Sequence, residues 1–181
     1  MEMFIDGRWT PSVSGTTQGV TDPRSGAVFD TVPQGNAEDA DIAIRSAHRA
    51  FQTWRAVPMA DRVRLQKKLA QAMRGAADAV GRALHRELGR PLPACMQEVG
   101  RAADLLDIYA EEGLRMRSTM TSGGVGEKTV VTRDPVGVVV AITPFNYPLN
   151  LLMFKLGAAR VMMPTPMLMN SMATITGREI S

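Results

Sequence analysis

Along the first third of the chain, apolar residues come in short bursts separated by turn formers. Residues 3–10, "MFIDGRWT", read as a strand, a turn at Asp6-Gly7 and a second short strand. Residues 11–27 concentrate Pro, Ser, Gly and Thr and read as loop. A turn at Arg24-Ser25-Gly26 precedes a predicted strand over 27–32. The pattern then switches to helical spacing. Asn36 can cap a helix whose first turn carries Glu38 and Asp39, where the helix dipole favours negative charge. Its predicted apolar face is Ala40, Ile44, Ala47, Phe51 and Trp54. After Pro58, residues 59–88 predict one long helix with a stripe of Val63, Leu65, Leu69, Met73, Ala76, Val80, Ala83 and Leu84. Arg62, Lys67, Lys68, Arg74, Arg82 and Arg86 fall largely outside that stripe, and Gly89 suits its C-terminal stop. A further helix over about 94–115 carries Met96, Val99, Ala103, Leu106 and Ala110 on one face.

The character changes at "SGGVGEKTVVTRDPVGVVVAITP", which is Gly-rich and then β-branched. Strands are predicted at 127–133 and 136–142, parted at Asp134-Pro135. The second is apolar throughout, as a strand covered on both faces would be. "LNLLMFKLGAA", after Pro148, is a helical run. Small strands, three helices, two strands and a strand-to-helix unit make an α/β chain, and 136–157 looks like the first half of a βαβ crossover. The segment 158–181 differs again: Met162, Met163, Met167, Met169 and Met172 crowd into it, with no clean period and no convincing second parallel strand.

Composition narrows the function classes. The 181 residues are 45% hydrophobic and 22% charged, and 21 basic residues face 18 acidic ones for a net charge of +3. The signs are mixed along the chain, which argues for an ordinary solvated surface and against nucleic-acid binding. The basic helix is interrupted by Asp61, Asp78 and Glu87 and has no interleaved aromatics for base stacking. A single cysteine, Cys95, excludes an internal disulfide framework and points to a cytoplasmic setting. The start of the chain lacks a basic-then-apolar signal segment, and 136–157 is too broken by prolines and asparagines to read as a membrane span. Cys95 lies on the apolar side of its helix and reads as a core residue. His48 and His85 stand singly, with no ligand pattern and so no metal site, and Glu111-Glu112 reads as a solvated face.

The candidate chemistry sits at Asn146, between Pro144 and Pro148. Ligands of open α/β sheets bind beyond the carboxyl ends of the strands. An asparagine held there by two prolines offers a neutral NH₂ donor able to stabilise a developing oxyanion. An asparagine at a strand-to-helix junction is also a common cap or turn residue, and the residues alone leave both readings open.

"PVGVVVAITPFNYPLNLLMFKLG" resembles the Pro-Trp/Phe-Asn-Phe/Tyr-Pro signature of the aldehyde dehydrogenase superfamily. "FIDGRW", "DPRSGAVFDTVPQG", "AFQTWRAVPMADRVRLQKKLA" and "ELGRPLPACMQEVGRAADLLDIYAEEG" resemble that superfamily's N-terminal region in order and spacing over residues 2–157. The resemblance implies an incomplete Rossmann-like nucleotide-binding domain over 1–157, with N-terminal helices and small strands, and a non-homologous tail over 158–181. It implies that Asn146 is the side-chain half of an oxyanion hole. Ile142, Thr143, Pro144 and Phe145 would line the nicotinamide end of an NAD or NADP site, and an aldehyde would be the substrate. It implies subunit contacts near 117–134, with another copy or a full-length relative as partner. The cysteine nucleophile and glutamate base of the family mechanism find no match in the 181 residues. The expectation is therefore a chain inactive alone, or a non-catalytic remnant that packs against a partner.

Overall fold

The computed structural model describes residues 2–161 and the strand Met167–Ser171. Strands β1 (Met3–Ile5) and β2 (Arg8–Thr10) form an antiparallel hairpin. Its turn residues Asp6 and Gly7 both take positive φ, 56° and 76°, the left-handed pair that a tight two-residue hairpin needs. The Asp6 carboxylate accepts a hydrogen bond from the Ser46 hydroxyl (2.9 Å), which ties the hairpin to the first helix. Strand β3 (Thr17–Thr21) lies in the segment read as loop and pairs antiparallel with β4 (Val28–Pro33). "TQGVT" is almost wholly exposed and polar, so it carries no alternation to read; pairing with β4 makes it a strand.

Helix α1 (Ala37–Trp54) begins as expected. Asn36 accepts from the N–H groups of Glu38 and Asp39, and the Asp39 carboxylate accepts in return from the Asn36 N–H (3.0 Å). Asp39 is buried, and the N–H groups of Val13 and Asn36 hold its carboxyl below the usual range. The predicted apolar face is mostly not covered: Ala40 and Ile44 are exposed and only Phe51 is buried.

The single helix expected over 59–88 is two, α2 (Met59–Gly75) and α3 (Ala77–Leu88), parted at Ala76 with φ −93° and ψ 12°. The stripe continues across the break because Ala76 and Val80 still face the same neighbours, so periodicity alone hides it. Gly89 ends α3 at φ 66°, as its type predicts. Two assignments to the α2 face invert. Leu65 is 41% exposed. Arg62 is buried and donates to the carbonyls of Trp54 (3.2 Å) and Arg55 (3.0 Å), closing the C-terminal end of α1.

Helix α4 (Leu92–Arg115) is the centre of the molecule. Cys95, Val99, Ala102, Ala103, Leu106 and Ala110 are all fully buried along it, against α2, α3 and the last helix. Strands β5 (Thr119–Ser122) and β6 (Lys128–Val131) form an antiparallel hairpin exposed on both faces. Strand β7 (Val139–Thr143) is covered on one face only: Ala141 and Thr143 are buried, Val140 and Ile142 are exposed. The apolar run that predicted burial on both faces is satisfied on one. Helix α5 (Pro148–Val161) crosses α4 closely at Gly157, where a Cβ would lie 2.6 Å from the Tyr109 ring. The buried Gln66 amide bonds the carbonyls of Leu106 (3.0 Å) and Gly157 (3.2 Å), pinning α2, α4 and α5 together. Strand β8 (Met167–Ser171) then pairs parallel with β7, Val139 opposite Met167 through Thr143 opposite Ser171. The second parallel strand, not legible in the sequence, is present.

Burial lowers the pKa of Arg62, which bonds only to carbonyls at the end of α1, and penalises two further charged groups. Arg160 lies over the Trp54 ring (5.7 Å) with no carboxylate partner among the described residues, and burial lowers its pKa. Arg160→Leu is expected to stabilise the chain by about 1–2 kcal/mol, read by denaturant unfolding. Glu87, in the last turn of α3, has its pKa raised from 4.5 to about 7 by burial and by the Asp30 carboxylate of β4. The folded state thus holds this proton more tightly than the unfolded chain. The stability it contributes is complete below pH 4.5 and is lost as pH rises through about 7. Glu87→Gln is expected to flatten that part of the curve of melting temperature against pH.

Candidate functional site

The end of β7, the turn 144–147 and the start of α5 form the candidate site. Pro144 ends the strand, and Pro148 opens the helix where its missing N–H costs nothing. Each proline also biases the residue before it, Thr143 and Tyr147, toward extended backbone. The chain therefore turns within four residues. Tyr147 occupies the capping position of α5, and its carbonyl accepts the Leu151 N–H (3.0 Å), but a tyrosine ring cannot cap.

The missing cap comes from α4. Glu98 is 1% exposed, and its Oε1 accepts the N–H groups of Leu149 (3.0 Å) and Asn150 (3.3 Å). Its Oε2 accepts from Arg90, in the short connection between α3 and α4. Arg90 also donates to the Asn146 carbonyl (3.3 Å) and lays its guanidinium over the Tyr147 ring (4.1 Å). The first N–H groups of α5 are thus accounted for: Pro148 has none, and Leu149 and Asn150 are taken. A carboxylate already occupies the place where a Rossmann-type helix would receive a phosphate.

Asn146 is exposed, and its side-chain amide has no hydrogen-bond partner among the described residues. Ile142 and Phe145 are 70% and 74% exposed, and Pro144 is exposed beside them. Thr143 is on the other face, buried, with its hydroxyl unpartnered. The structure therefore brings Ile142, Pro144, Phe145 and Asn146 to one open end of β7 and turns the Thr143 side chain inward. Glu98 and Arg90 were not singled out from the sequence. The available signal was an acid inside the apolar stripe of α4, next to Val99, eight residues after an arginine.

The remaining candidates have structural surroundings. Cys95 is fully buried, and burial raises its pKa. His85 lies between the Arg90 carbonyl, to which Nδ1 donates (2.5 Å), and Arg24 Nη1 (2.6 Å), leaving Nε2 to accept. His48 meets only Gln52 (3.5 Å) on the exposed side of α1. No cluster of three metal-ligating side chains occurs among the described residues. Two basic residues of α2 meet acids of α4: Lys67 lies 3.9 Å from Glu111, and Arg74 lies 2.7 Å from Asp104 and 2.8 Å from Asp107. Glu112 pairs with Arg115. Among the described residues, no helix is long and apolar enough to cross a membrane.

The sequence model of the aldehyde dehydrogenase family matches residues 9–166. Over 159 residues, 87% of the chain, the sequence is 33% identical to a 3-sulfolactaldehyde dehydrogenase of Pseudomonas putida. It is 31% identical over the same length to an NADP(+) succinate-semialdehyde dehydrogenase of Escherichia coli (strain K12). The chain spans 33% of each of these relatives. The crystal structure of an aldehyde dehydrogenase from Brucella melitensis biovar abortus superposes with a TM-score of 0.93 at 28% identity, covering 99% of this chain and 38% of that one. That of an NADP-dependent glyceraldehyde-3-phosphate dehydrogenase from Bacillus halodurans, complexed with NADP, gives 0.92 at 27%, covering 99% and 39%.

Burial of Cys95 has a direct readout. Alkylation of this single thiol by iodoacetamide is expected to run at least about tenfold slower in the folded chain than in denaturant, because the thiolate is disfavoured and shielded.

Proposed function

The chain belongs to the aldehyde dehydrogenase family, and from that premise we propose that it carries one half of a site for NAD(P)-dependent oxidation of an aldehyde. The observation that carries the reading is the placement of Asn146. It is an unpartnered neutral donor at the open end of a parallel strand, beside the exposed Ile142, Pro144 and Phe145. In this reading the Asn146 NH₂ donates to the oxygen that becomes negative when a thiolate attacks an aldehyde carbonyl. Because the donor is uncharged, it needs no proton movement of its own and costs no reorganisation as charge develops. NAD or NADP, when bound, supplies the hydride acceptor. The exposed apolar face of Ile142, Pro144 and Phe145 is chemically suited to a flat nicotinamide ring, and Thr143 contributes through its main chain. Both NAD and NADP are carried as cofactors in this reading.

The nucleophile is not among the residues at this site. Cys95, the only cysteine of the 181 residues, is a core residue. The 181-residue chain by itself is therefore proposed to be inactive. The sequence after residue 166, where the match to the family ends, is proposed to depart from the family. A second reading is favoured by the β5–β6 hairpin. Met120, Val130 and Val131 are exposed on it at 64%, 58% and 52%. Such a surface suits the edge of another copy or of a full-length relative, with the chain acting as a non-catalytic interaction fragment.

Purified chain given NAD+ or NADP+ and a panel of small semialdehydes is expected to form no NAD(P)H; measurable turnover would defeat the proposed inactivity. In a longer polypeptide that adds the nucleophile, Asn146→Ala is expected to lower kcat by about 10²–10³-fold. An unchanged kcat there would remove Asn146 from the chemistry.

A further inference from the structure

We infer that Arg90 and Glu98 are positioning residues which together aim the Asn146 side chain. The inference rests on the reading of Asn146 as an oxyanion donor and adds what holds that donor in place. Nothing bonds to the Asn146 amide among the described residues, so what the rest of the chain can fix is the backbone from which that amide extends. On the upstream side that backbone is held by β7 in its sheet and by the restricted φ of Pro144. On the downstream side one ion pair, its carboxylate buried and its guanidinium half-buried, touches four of the five positions 146–150. Arg90 bonds the carbonyl of Asn146 itself and covers the ring of Tyr147, and Glu98 takes the N–H groups of Leu149 and Asn150.

A cap for α5 would explain Glu98, and Arg90 as its counter-ion, but not the further contacts of Arg90 with the Asn146 carbonyl and the Tyr147 ring. A Ser or Asp at position 147 would cap the helix locally, without burying a charge from another helix. A tyrosine stands there instead, and its ring is the surface on which Arg90 rests. Nor does stability ask for the pair. An apolar pair of similar volume usually does as well as a buried ion pair, whereas ion pairs fix geometry. The guanidinium is planar and presents several donors at set angles, so it can hold Glu98 Oε2 and the Asn146 carbonyl while stacking on Tyr147. A lysine could supply the charge but not all three contacts. Arg90 is itself anchored: its carbonyl accepts from His85 (2.5 Å) and from the Cys95 thiol (3.8 Å), and it follows the fixed left-handed Gly89. The placement of the donor is thereby referred to the α3–α4 junction and the buried face of α4, and not to the exposed turn that carries it.

The four asparagines, at 36, 146, 150 and 170, make the test direct. In a chain labelled with ¹⁵N-asparagine, the side-chain NH₂ pair of Asn146 and the backbone amide of Asn150 report the two ends of the clamp. Asn36, at the cap of α1, reports the fold. Glu98→Gln is expected to displace both the Asn150 amide and the Asn146 pair, and to speed Asn150 hydrogen exchange at least about tenfold. Arg90→Met is expected to displace chiefly the Asn146 pair. In both, the Asn36 signals stay in place. Should either variant lose the Asn36 signals, Arg90→Lys is read instead, and is expected to keep them while still displacing the Asn146 pair. Asn146 signals that stay unmoved with Asn36 in place, or an unaltered chain whose Asn150 amide already sits at the random-coil position, would overturn the inference. No turnover is measured, so a failed aldehyde assay counts against the proposed reaction and leaves this result standing.

Discussion

The ion pair between Arg90 and Glu98 joins the two parts of the chain that matter most to each other. Glu98 belongs to α4, whose apolar face is the centre of the core. Its carboxylate is spent on the first free N–H groups of α5, the helix that follows the candidate site. A buried carboxylate is tolerated only when its lone pairs are filled, and here Arg90 and two backbone N–H groups fill them. Remove that arrangement and α5 has an uncapped start, Arg90 has no counter-ion, and the turn 144–147 is held by its prolines alone.

This constraint also decides what the site can accept. With a carboxylate seated at the α5 N-terminus, the Leu149 and Asn150 N–H groups are taken and the place of a phosphate is filled by a negative charge. What remains open is the apolar end of β7, with Ile142, Pro144 and Phe145 exposed and one uncharged amide beside them. Such a surface suits a flat ring and an oxygen that gains charge during reaction. The acid–base and nucleophilic groups that would complete the chemistry are not among these residues, and the one thiol of the chain is sealed in the core.

Charge is placed with the same economy elsewhere, with two exceptions. Arg62 closes the end of α1, and Arg74 bridges to Asp104 and Asp107 on the neighbouring helix. Arg160 and Glu87 are the exceptions, Arg160 with no counter-charge among the described residues and Glu87 beside the like charge of Asp30. Arg160 falls where the sequence changes character. Yet α5 is complete to Val161 there, and β8 pairs with β7 although its residue pattern does not announce a strand.

By itself the sequence determined the elements whose signals are local. The Asp6-Gly7 hairpin, the Asn36 cap, the Gly89 stop, the apolar stripe of α4 and the proline-bounded turn at Asn146 each depend on residues a few positions apart. Family membership was legible for the same reason, because its motifs are contiguous. Tertiary structure alone decided what depends on distant partners. β3 is a strand because β4 lies beside it, and Arg62 is buried because α1 ends above it. β7 is open on one face because no described element covers it, and Glu98 caps a helix 51 positions away. The orientation of Asn146 belongs to this second class, since burial and hydrogen bonding are properties of neighbours in space, which linear spacing does not record.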